Sequence, residues 1–456
     1  MYQKNYHIYF VGIGGIGMSA IAELLMSLGY RVSGSDLKLS SITHRLASLG
    51  AVIFEGHRPE QLNDADVVVT STAIAKDNPE VVEAGKRSIR TIARAEMLAE
   101  LMRIKYAIAV SGAHGKTSTT SMVATILNEA GLDPTVVVGG VLKSLGTNAR
   151  HGKGDYIVAE ADESDGSFLK YSPAIAAVTN IDLEHLDFYN GIEEIKDNFV
   201  RFINSVPFYG LAVLCLDNEH IQQILPRITA RYTTFGLNAQ ADLAAREICL
   251  KGRRGCFTVV HKKEVLGEIT LNLAGKHNIS NALAAIAVAL ELKVDFKVIK
   301  GALEKIEGVA RRLEVKGEKK GITVVDDYGH HPTEVKTTLA AVREAWPGKR
   351  VVVVFQPHRY TRTRDLFNDF TRSFYQSDLL FVLPIYAASE RPIEGIDSLK
   401  LCRGIEEHGH KNVLCVKDFE TCISVLSSTL KPGDLVLTLG AGDVCNLGEQ
   451  LLEILS

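Results

Sequence analysis

A chain of 456 residues is too long for one ordinary domain, and the usual domain size predicts about three. The composition, 46% hydrophobic and 23% charged, is typical of a globular α/β protein, and a net charge of -3 excludes a general basic surface for nucleic acid or anionic lipid. Seven scattered cysteines without a CxxC pair argue against a disulfide framework or a zinc site. The apolar segment 10–30 contains Glu23 and five glycines, which is not typical of a signal or membrane-spanning segment. We therefore expect a cytoplasmic protein without membrane insertion.

The first hundred residues alternate short β-branched segments with segments of helical length. The predicted strands are 7–11, 30–32, 51–54 and 67–70. Strands that alternate with helices predict a parallel sheet. A helical segment at 94–103 then leads into another apolar strand at 106–110, so we place a domain boundary near residue 104.

A glycine-rich loop follows the first predicted strand and opens a helix. It contains Gly12, Gly14, Gly15, Ile16 and Gly17. Backbone N–H groups at such a helix start hold a diphosphate, and Asp36, at the end of the second strand, occupies the position where an acid meets a ribose hydroxyl. The pattern fits NAD, a nucleotide diphosphate, or a tight strand-to-helix turn that binds no ligand.

A second glycine loop follows the strand at 106–110 and opens a helix predicted from Ser118. Its residues are Gly112, Ala113, His114, Gly115, Lys116, Thr117 and Ser118. The Gly-Lys-Thr ending is typical of a phosphate loop, although Val110 stands where the full Walker spacing has its first glycine. Unless the tripeptide is a chance surface sequence, we expect ATP in this domain, with Lys116 on the β and γ phosphates and Thr117 or Ser118 on magnesium.

Acidic segments follow two further predicted strands, at 160–165 and 180–187. Open α/β sheets bind ligands at the carboxyl ends of their strands. A carboxylate and a histidine at these strand ends are candidate magnesium ligands, and the alternative is that they are solvated loop charges. Beside a phosphate loop we favour the metal site.

The later part of the chain predicts a small antiparallel patch after Tyr232, a helix at 277–290 and a link at 307–312. A third α/β series follows, with strands at 322–325, 350–355, 379–383, 412–416 and 435–439. The three parts show no sequence repeat and no low-complexity segment. We therefore predict domains at 1–104, 105–308 and 309–456.

Six segments in chain order resemble the Mur ligase family of peptidoglycan synthesis, and the match runs essentially from end to end. They are 12–19, 112–118, 275–281, 311–314, 326–332 and 356–363. The resemblance implies an α/β protein of three domains: a Rossmann-like UDP-binding domain, a central P-loop ATPase domain with a parallel sheet, and a C-terminal Rossmann-like domain that binds the amino acid.

The resemblance also implies a role for particular residues. Catalysis is expected from Lys116, Glu160, His185, Arg312 and His330, and metal binding from Thr117, Glu160 and His185, with Glu163 as the competing carboxylate. ATP is expected to contact the second glycine loop and also His277, Asn278, Asn281, Arg311, Arg312 and Asp327. The UDP-sugar is expected to contact the first glycine loop and Asp36. The amino acid is expected to contact Tyr328, His330, His358, Arg359 and Arg362.

The resemblance implies that the reaction joins L-alanine to the carboxylate of UDP-N-acetylmuramate, through an acyl phosphate formed from ATP with Mg²⁺. Two alternatives stay open: a ligase that attaches a recycled peptide to the same sugar nucleotide, and an NAD-dependent oxidoreductase that uses the first glycine loop. Some relatives carry a carbamylated lysine about fifteen residues after the metal histidine in the manner of a metal-binding carbamate. Val200 stands there, so we predict no carbamate.

Overall fold

The computed structural model describes residues 6–71, 73–142 and 147–455. The chain divides into two compact units. The first contains Met1–Asp182, Glu193–Leu243 and Ala282–Ala302, and the second contains Leu183–Ile192, Ala244–Asn281 and Leu303–Ser456. No helix in the described part of the chain is long and apolar enough to cross a membrane.

The first unit begins with a five-stranded parallel sheet in the order β3-β2-β1-β4-β5. Its strands are β1 (His7–Val11), β2 (Arg31–Asp36), β3 (Val52–Glu55), β4 (Val67–Thr70) and β5 (Arg90–Ala93). The connecting helices are α1 (Ile16–Ser27), α2 (Ser41–Ser48), a 3-10 turn (Pro59–Leu62), α3 (Pro79–Lys86) and α4 (Arg94–Met102). The strand order reverses between β1 and β4, which places the first glycine loop at the point where such sheets bind ligands.

A second sheet in the first unit has the order β12-β11-β10-β6-β9-β7-β8. Its strands are β6 (Tyr106–Ser111), β7 (Thr135–Leu142), β8 (Thr147–Arg150), β9 (Tyr156–Glu160), β10 (Ile175–Val178), β11 (Leu211–Cys215) and β12 (Tyr232–Gly236). Its helices are α5 (Lys116–Glu129), α6 (Ile192–Asn204) and α7 (Glu219–Ile224), with 3-10 turns at Ser167–Lys170 and Leu225–Arg227. All pairs are parallel except β7 with β8.

The second unit contains the predicted antiparallel patch and a third sheet. The patch consists of β13 (Leu243–Lys251), β14 (Arg254–His261) and β15 (Glu264–Leu271). In chain order α8 (Lys276–Glu291) and α9 (Phe296–Glu304) follow, and their residues from Ala282 to Ala302 belong to the first unit. The third sheet has the order β16-β17-β21-β18-β19-β20 and is parallel except for its first pair.

The elements of the third sheet are given in chain order. They are β16 (Glu314–Lys319), β17 (Ile322–Asp327), α10 (Pro332–Ala345), β18 (Val351–Phe355), α11 (Tyr360–Asp365), α12 (Phe367–Phe370), β19 (Leu379–Val382), α13 (Ser398–Glu407), β20 (Val413–Cys415), α14 (Phe419–Thr429), β21 (Leu435–Leu439) and α15 (Val444–Ile454).

Strand β18 explains why this sheet is covered on both faces. Val351, Val353 and Phe355 pack with residues of α10, α12 and α13, whereas Val352 and Val354 pack with residues of α14 and α15. Successive side chains of a strand point to opposite faces, so an unbroken apolar run requires helices on both sides. The predicted α/β class, with a parallel-rich sheet in each of three parts, is confirmed.

Candidate active site

The phosphate loop joins β6 to α5 and depends on two glycines. Gly112 has φ +127°, and a Cβ there would lie 2.2 Å from Thr179 Oγ1. Gly115 caps α5 with φ +85°, so the helix begins at Lys116, two residues before the predicted start. Both positions require glycine, and the free N–H groups of the first helical turn provide an anion site.

The segment after β10 holds the phosphate loop in place. Asn180 accepts a hydrogen bond from the His114 backbone N–H at 2.9 Å and donates one to the His114 carbonyl at 2.9 Å. Thr179 donates to the same carbonyl at 2.6 Å, and the His114 ring lies 2.9 Å from an Asp182 oxygen. The loop is therefore shaped by the protein itself, which lowers the entropic cost of binding a phosphate.

Lys116 and Glu163 form the central ion pair of this loop. The ammonium lies 2.9 and 3.0 Å from the two Glu163 oxygens and donates to the Gly112 carbonyl at 2.7 Å. Glu163 is 3% exposed, so its charge depends on this partner. Of the two competing carboxylates, Glu163 is thus the counter-ion of the lysine.

Glu160 differs from Glu163 because one of its carboxylate oxygens accepts no hydrogen bond from the described residues. Its Oε1 is buried and has no hydrogen-bond partner among the described residues. Burial raises the pKa of this carboxyl, while hydrogen bonds from the Gly139 backbone and the Thr117 side chain act in the opposite direction. A buried carboxylate oxygen beside a hydroxyl is a donor set that suits a hard divalent cation.

The first glycine loop is anchored to the end of β2. The Gly14 N–H donates to the Asp36 carboxylate at 2.8 Å, and the Gly12 N–H donates to the Ser35 carbonyl at 2.8 Å. Arg94, the first residue of α4, lies against Gly17, where a Cβ would be 2.7 Å from its Nη1. Asp36 therefore shapes the loop, and its contact with a ribose stays a prediction.

In the second unit, Arg311 and Arg312 differ in how tightly they are held. Both guanidinium groups lie over the Tyr328 ring, at 5.0 and 5.3 Å. Arg311 also binds Asp326 at 3.0 Å and donates to the Gly440 carbonyl at 2.6 Å. The nearest carboxylate to Arg312 is that of Glu334, at 3.8 Å. Arg312 is thus the arginine with capacity for another anion, which favours it as the phosphate ligand.

Asp327 ties the link before β16 to the loop after β17. Its two oxygens accept hydrogen bonds from the Leu313 and Gly329 backbone N–H groups, each at 2.8 Å, and from Thr338 at 3.1 Å. The residue is 5% exposed, and burial raises the pKa of its carboxyl. Asp327 is the last residue of β17, and this position at the carboxyl end of the strand is compatible with the predicted ribose contact.

Three of the residues expected to meet ATP, His277, Asn278 and Asn281, lie in the first two turns of α8. Asn278 and Asn281 are buried, and the Asn278 side chain donates to the Ala274 carbonyl at 2.8 Å. Gly275, with φ +88°, precedes the helix, and a Cβ there would be 2.6 Å from the His277 ring. The turn therefore requires glycine and brings His277 close to the backbone.

A charged cluster in the second unit gathers most residues of the predicted amino-acid site. Arg362 binds Glu184 at 3.0 Å, and both side chains are buried. The same guanidinium lies 3.0 Å from His358 Nδ1, and His330 Nε2 lies 3.8 Å from Glu184. His185 neighbours this cluster, 3.8 Å from Glu184, in a backbone conformation with φ +58°.

Arg359, in the same region, has an N–H group without a hydrogen-bond partner among the described residues. It caps α11 with φ +70° and ψ +139°, a conformation that non-glycine residues rarely adopt. Its backbone N–H donates to the Tyr386 carbonyl at 2.8 Å, and its Nη1 lies 3.5 Å from Asp187. Its buried Nε has no partner among the described residues. A strained arginine with an unused N–H is equipped to bind a carboxylate.

Two contributors to this cluster were not predicted from the sequence. Glu184 lies within the predicted acidic segment but was not recognised as the partner of Arg362, 178 positions later. The Tyr386 ring stacks on His358 with centroids 5.6 Å apart and planes 9° from parallel. No local pattern marks either residue, because each owes its position to a distant part of the chain.

Three histidines of the second unit are held neutral. Burial lowers the pKa of His277 and His330 to about 4, and that of His358 to about 3. Nearby arginines also lower these pKa values, whereas Glu334 and Glu184 raise the pKa of His330 without offsetting the effect of burial. At neutral pH the rings of His330 and His358 are therefore uncharged, which suits them to orient an amine but makes them weak bases.

Acidification is expected to destabilise the protein because of these rings. A histidine with a folded-state pKa below its unfolded value of about 6.5 binds its proton more tightly in the unfolded state. The free energy of unfolding is therefore highest above about pH 6.5 and falls as the pH drops towards about 4. Melting temperatures between pH 8 and 5 should fall less steeply for His277→Gln than for the parent. His44→Gln, which changes an exposed ring, is the control. If the melting temperature fell equally steeply with pH in the parent, His277→Gln and His44→Gln, this explanation would be wrong.

The fold and the loops define an α/β protein with glycine-rich strand-to-helix loops after parallel strands, an arrangement typical of nucleotide-binding proteins. Family models match three consecutive parts of the chain: "Mur ligase family, catalytic domain" at 7–106, "Mur ligase middle domain" at 110–289 and "Mur ligase, glutamate ligase domain" at 311–442. The chain belongs to the Mur ligase family, as the sequence predicted. It is therefore an enzyme of this ATP-dependent family.

Individual relatives match two thirds or more of the chain. A protein of Desulforapulum autotrophicum named UDP-N-acetylmuramate--L-alanine ligase is 85% identical over 456 residues, the full length of both chains. A crystal structure of UDP-N-acetylmuramate-alanine ligase from Thermotoga maritima matches with a TM-score of 0.83 at 29% identity and covers 98% of each chain. A UDP-N-acetylmuramate:L-alanyl-gamma-D-glutamyl-meso-diaminopimelate ligase from Neisseria meningitides matches with a TM-score of 0.62 at 30% identity, covering 67% of this chain and 99% of that one.

Proposed function

We propose that this enzyme joins L-alanine to the carboxylate of UDP-N-acetylmuramate, with ATP as the phosphate donor, in cytoplasmic synthesis of peptidoglycan precursors. The observation that carries the proposal is full-length identity of 85% to a relative named for this activity. The phosphate loop, with Lys116 at its helix start, supports ATP use and disfavours the oxidoreductase alternative. We assign UDP-sugar binding to 1–104, ATP binding to 105–308 and amino-acid binding to 309–456.

The chemistry explains why these charged residues are required. A carboxylate cannot expel hydroxide at neutral pH, so it first takes the γ-phosphoryl group of ATP to become an acyl phosphate. Two unit negative charges 4 Å apart repel by about 4 kcal/mol at an effective dielectric near 20, so positive groups must offset the approach. Phosphoryl transfer then depends mainly on positioning and electrostatic stabilisation.

We assign Lys116 and Arg312 to the triphosphate. The Lys116 ammonium lies at the phosphate loop and has three protein oxygens within 3.0 Å. A phosphate that binds there would offer its own oxygens to the ammonium in place of these protein oxygens. Arg312 has no carboxylate closer than 3.8 Å in the described part of the chain and keeps its donors for the γ-phosphate. The amine of L-alanine then attacks the acyl phosphate, and inorganic phosphate leaves.

Thr117 is the proposed ligand of a Mg²⁺ at the triphosphate, and Glu160 and His185 are the proposed ligands of a second Mg²⁺. Glu160 fits because its buried Oε1 lacks a partner among the described residues, and Thr117 fits because its hydroxyl is hydrogen-bonded to the same carboxylate. Bound Mg²⁺ would neutralise the phosphate oxygens. Thr117 lies in the first turn of α5, and Glu160 is the last residue of β9.

Replacement of Glu160 by glutamine is expected to separate stability from activity. Because burial raises the pKa of this carboxyl, the folded protein carries a desolvation cost at pH 8 that glutamine removes. Without Mg²⁺, in EDTA, the melting temperature of Glu160→Gln should equal or exceed that of the parent. The Mg²⁺ concentration needed for half-maximal phosphate release should rise at least about tenfold, as expected for loss of a charged ligand.

Glu264→Gln, a change at an exposed carboxylate, is the control for this experiment. It should leave both measurements as in the parent. An unchanged Mg²⁺ requirement in Glu160→Gln would remove Glu160 from the metal site.

The proposed function is tested directly by phosphate release. With UDP-N-acetylmuramate and ATP present, L-alanine should support turnover and a tripeptide of the recycled kind should not. The same panel, extended to serine and glycine, measures selectivity among small amino acids. Preference for the peptide would replace the proposed function with the peptide-attaching alternative, and ATP-independent reduction of NAD would replace both.

A further inference from the structure

A cavity of about 640 Å³ lies in the first unit, away from both glycine loops. Its walls come from the first sheet, from α1 and from α4, and its apolar lining includes Ile8, Leu25, Ile92 and Leu101. Val67 and Arg90, the first residues of β4 and β5, also line it. The cavity is thus at the amino ends of these strands, whereas the ligand sites of such sheets lie at the carboxyl ends.

The size and lining of the cavity suit a small molecule. Pockets of about 300–1,000 Å³ with apolar walls and a few polar groups are typical ligand sites. The polar groups here are at the rim and include the phenol rings of Tyr6 and Tyr30. Neither hydroxyl group forms a hydrogen bond with any of the residues that the structure describes. Both remain able to contact a polar group of a ligand.

The charges at the rim determine the sign of that ligand. Glu96 pairs with Lys170, and Glu100 pairs with Arg103 at 2.6 Å. Arg90 is the remaining cation of the lining, and no carboxylate of the described residues forms a salt bridge with it. An apolar pocket with one such guanidinium at its rim is complementary to an apolar body that carries one acid group.

The helices that wall the cavity begin at the first glycine loop. Helix α1 starts at Ile16, within the glycine loop, and its Leu25, near the other end of the helix, lines the cavity. Helix α4 starts at Arg94, which lies against Gly17 and is 3.9 Å from Asp162, and its Met97 and Leu101 line the cavity. A shift of either helix caused by a ligand would therefore move the loop.

We propose that this cavity binds a small amphipathic acid, an aromatic or branched hydrocarbon with one carboxylate or sulfonate, and that occupancy changes the affinity of the first glycine loop for its nucleotide. The second part rests on the proposed function, which places the UDP-sugar at that loop. Linkage requires the effect to be reciprocal: the UDP-sugar changes the affinity of the cavity ligand by the same factor.

Anilinonaphthalene sulfonate, an aromatic body with one sulfonate, is the probe for this site. Its fluorescence is titrated on the full chain with UDP-N-acetylmuramate and a non-hydrolysable ATP analogue at saturation, so that both substrate loops are occupied. Arg90→Glu removes the rim cation and Ala99→Phe fills the cavity from α4. Lys86→Glu makes the same charge change on the exposed face of α3.

The dissociation constant of the dye should rise at least about tenfold in Arg90→Glu and Ala99→Phe, as expected for loss of a charged hydrogen bond or of apolar contact, and stay within about twofold of the parent in Lys86→Glu. Equal dye binding by all four proteins would overturn the site. Should Ala99→Phe fail to fold, Arg90→Glu decides alone.

The second measurement is the dissociation constant of UDP-N-acetylmuramate with and without saturating dye, by calorimetry. A change of about threefold or more in the parent, absent in Arg90→Glu, supports the coupling. An unchanged constant in a parent that binds the dye overturns the coupling and leaves the site. Neither dye measurement requires turnover, so loss of the proposed ligase activity would be recognised separately, by the phosphate-release assay.

Discussion

Lys116→Ala is expected to abolish turnover while binding of the UDP-sugar survives. The ammonium is the cation of the phosphate loop, held at 2.7 Å from the Gly112 carbonyl. Loss of one preorganised charged donor in a water-poor site costs about a thousandfold in kcat. The first glycine loop lies between β1 and α1 and shares no residue with the phosphate loop. ATP-dependent phosphate release and calorimetric titration with UDP-N-acetylmuramate measure the two effects.

Stability must be controlled in this experiment because Glu163, 3% exposed, loses its partner in Lys116→Ala. The double variant Lys116→Ala with Glu163→Gln removes the unpaired charge and should recover the melting temperature but not the activity. Lys153→Ala, on an exposed lysine, is the matched control. Simultaneous loss of sugar-nucleotide binding and turnover in a folded double variant would show that the two ligands share a site.

Arg359→Ala should raise the Michaelis constant for L-alanine. Its unpartnered Nε and the Asp187 contact at 3.5 Å leave the guanidinium able to bind the carboxylate of a free amino acid. Loss of a desolvated charged hydrogen bond costs about 2 to 3 kcal/mol, or roughly 30- to 150-fold. Steady-state kinetics with each substrate varied in turn should show nearly unchanged constants for ATP and the UDP-sugar.

Arg364→Ala provides the comparison, because Arg364 lies in the same helix, is half exposed and pairs with its neighbour Asp365. Its removal should leave all three constants close to those of the parent, since exposed ion pairs contribute little. Arg362 is unsuitable as a control, since its loss would leave Glu184 buried without its partner. Unchanged L-alanine kinetics in Arg359→Ala, with a tripeptide preferred, would favour the peptide-attaching alternative.

The buried strands could be predicted from the sequence because they are apolar runs between turns. Strands β1, β6, β18 and β21 lie within one residue of their predicted bounds. Strands β5, β8 and β16 were not predicted, and each is at the edge of its sheet as described above, where one side of the strand pairs with no neighbour and the sequence is more polar. Strand β11 is fully buried, but five apolar residues do not distinguish a strand from a helical segment.

The candidate site could be predicted where the backbone itself carries the chemistry. Gly112 and Gly115 adopt positive φ in a strand-to-helix loop, so glycine spacing is informative there. The choice between Glu160 and Glu163 could not be made, since it depends on which carboxylate meets Lys116 in space. The pair of Glu184 with Arg362 is equally a property of the folded chain, because its members are separated by 178 positions.

The backbone conformation of Arg359 has a consequence for how relatives of this chain diverge. With φ +70° and ψ +139°, the position favours glycine, and a side chain there costs on the order of 1 to 3 kcal/mol. Selection for fold alone would replace the arginine with glycine over time. If Arg359 binds the amino acid as proposed, a lineage that kept this architecture but stopped ligating an amino acid would be free to make that replacement. Glycine at this position in a homologue would then indicate a changed or lost second substrate.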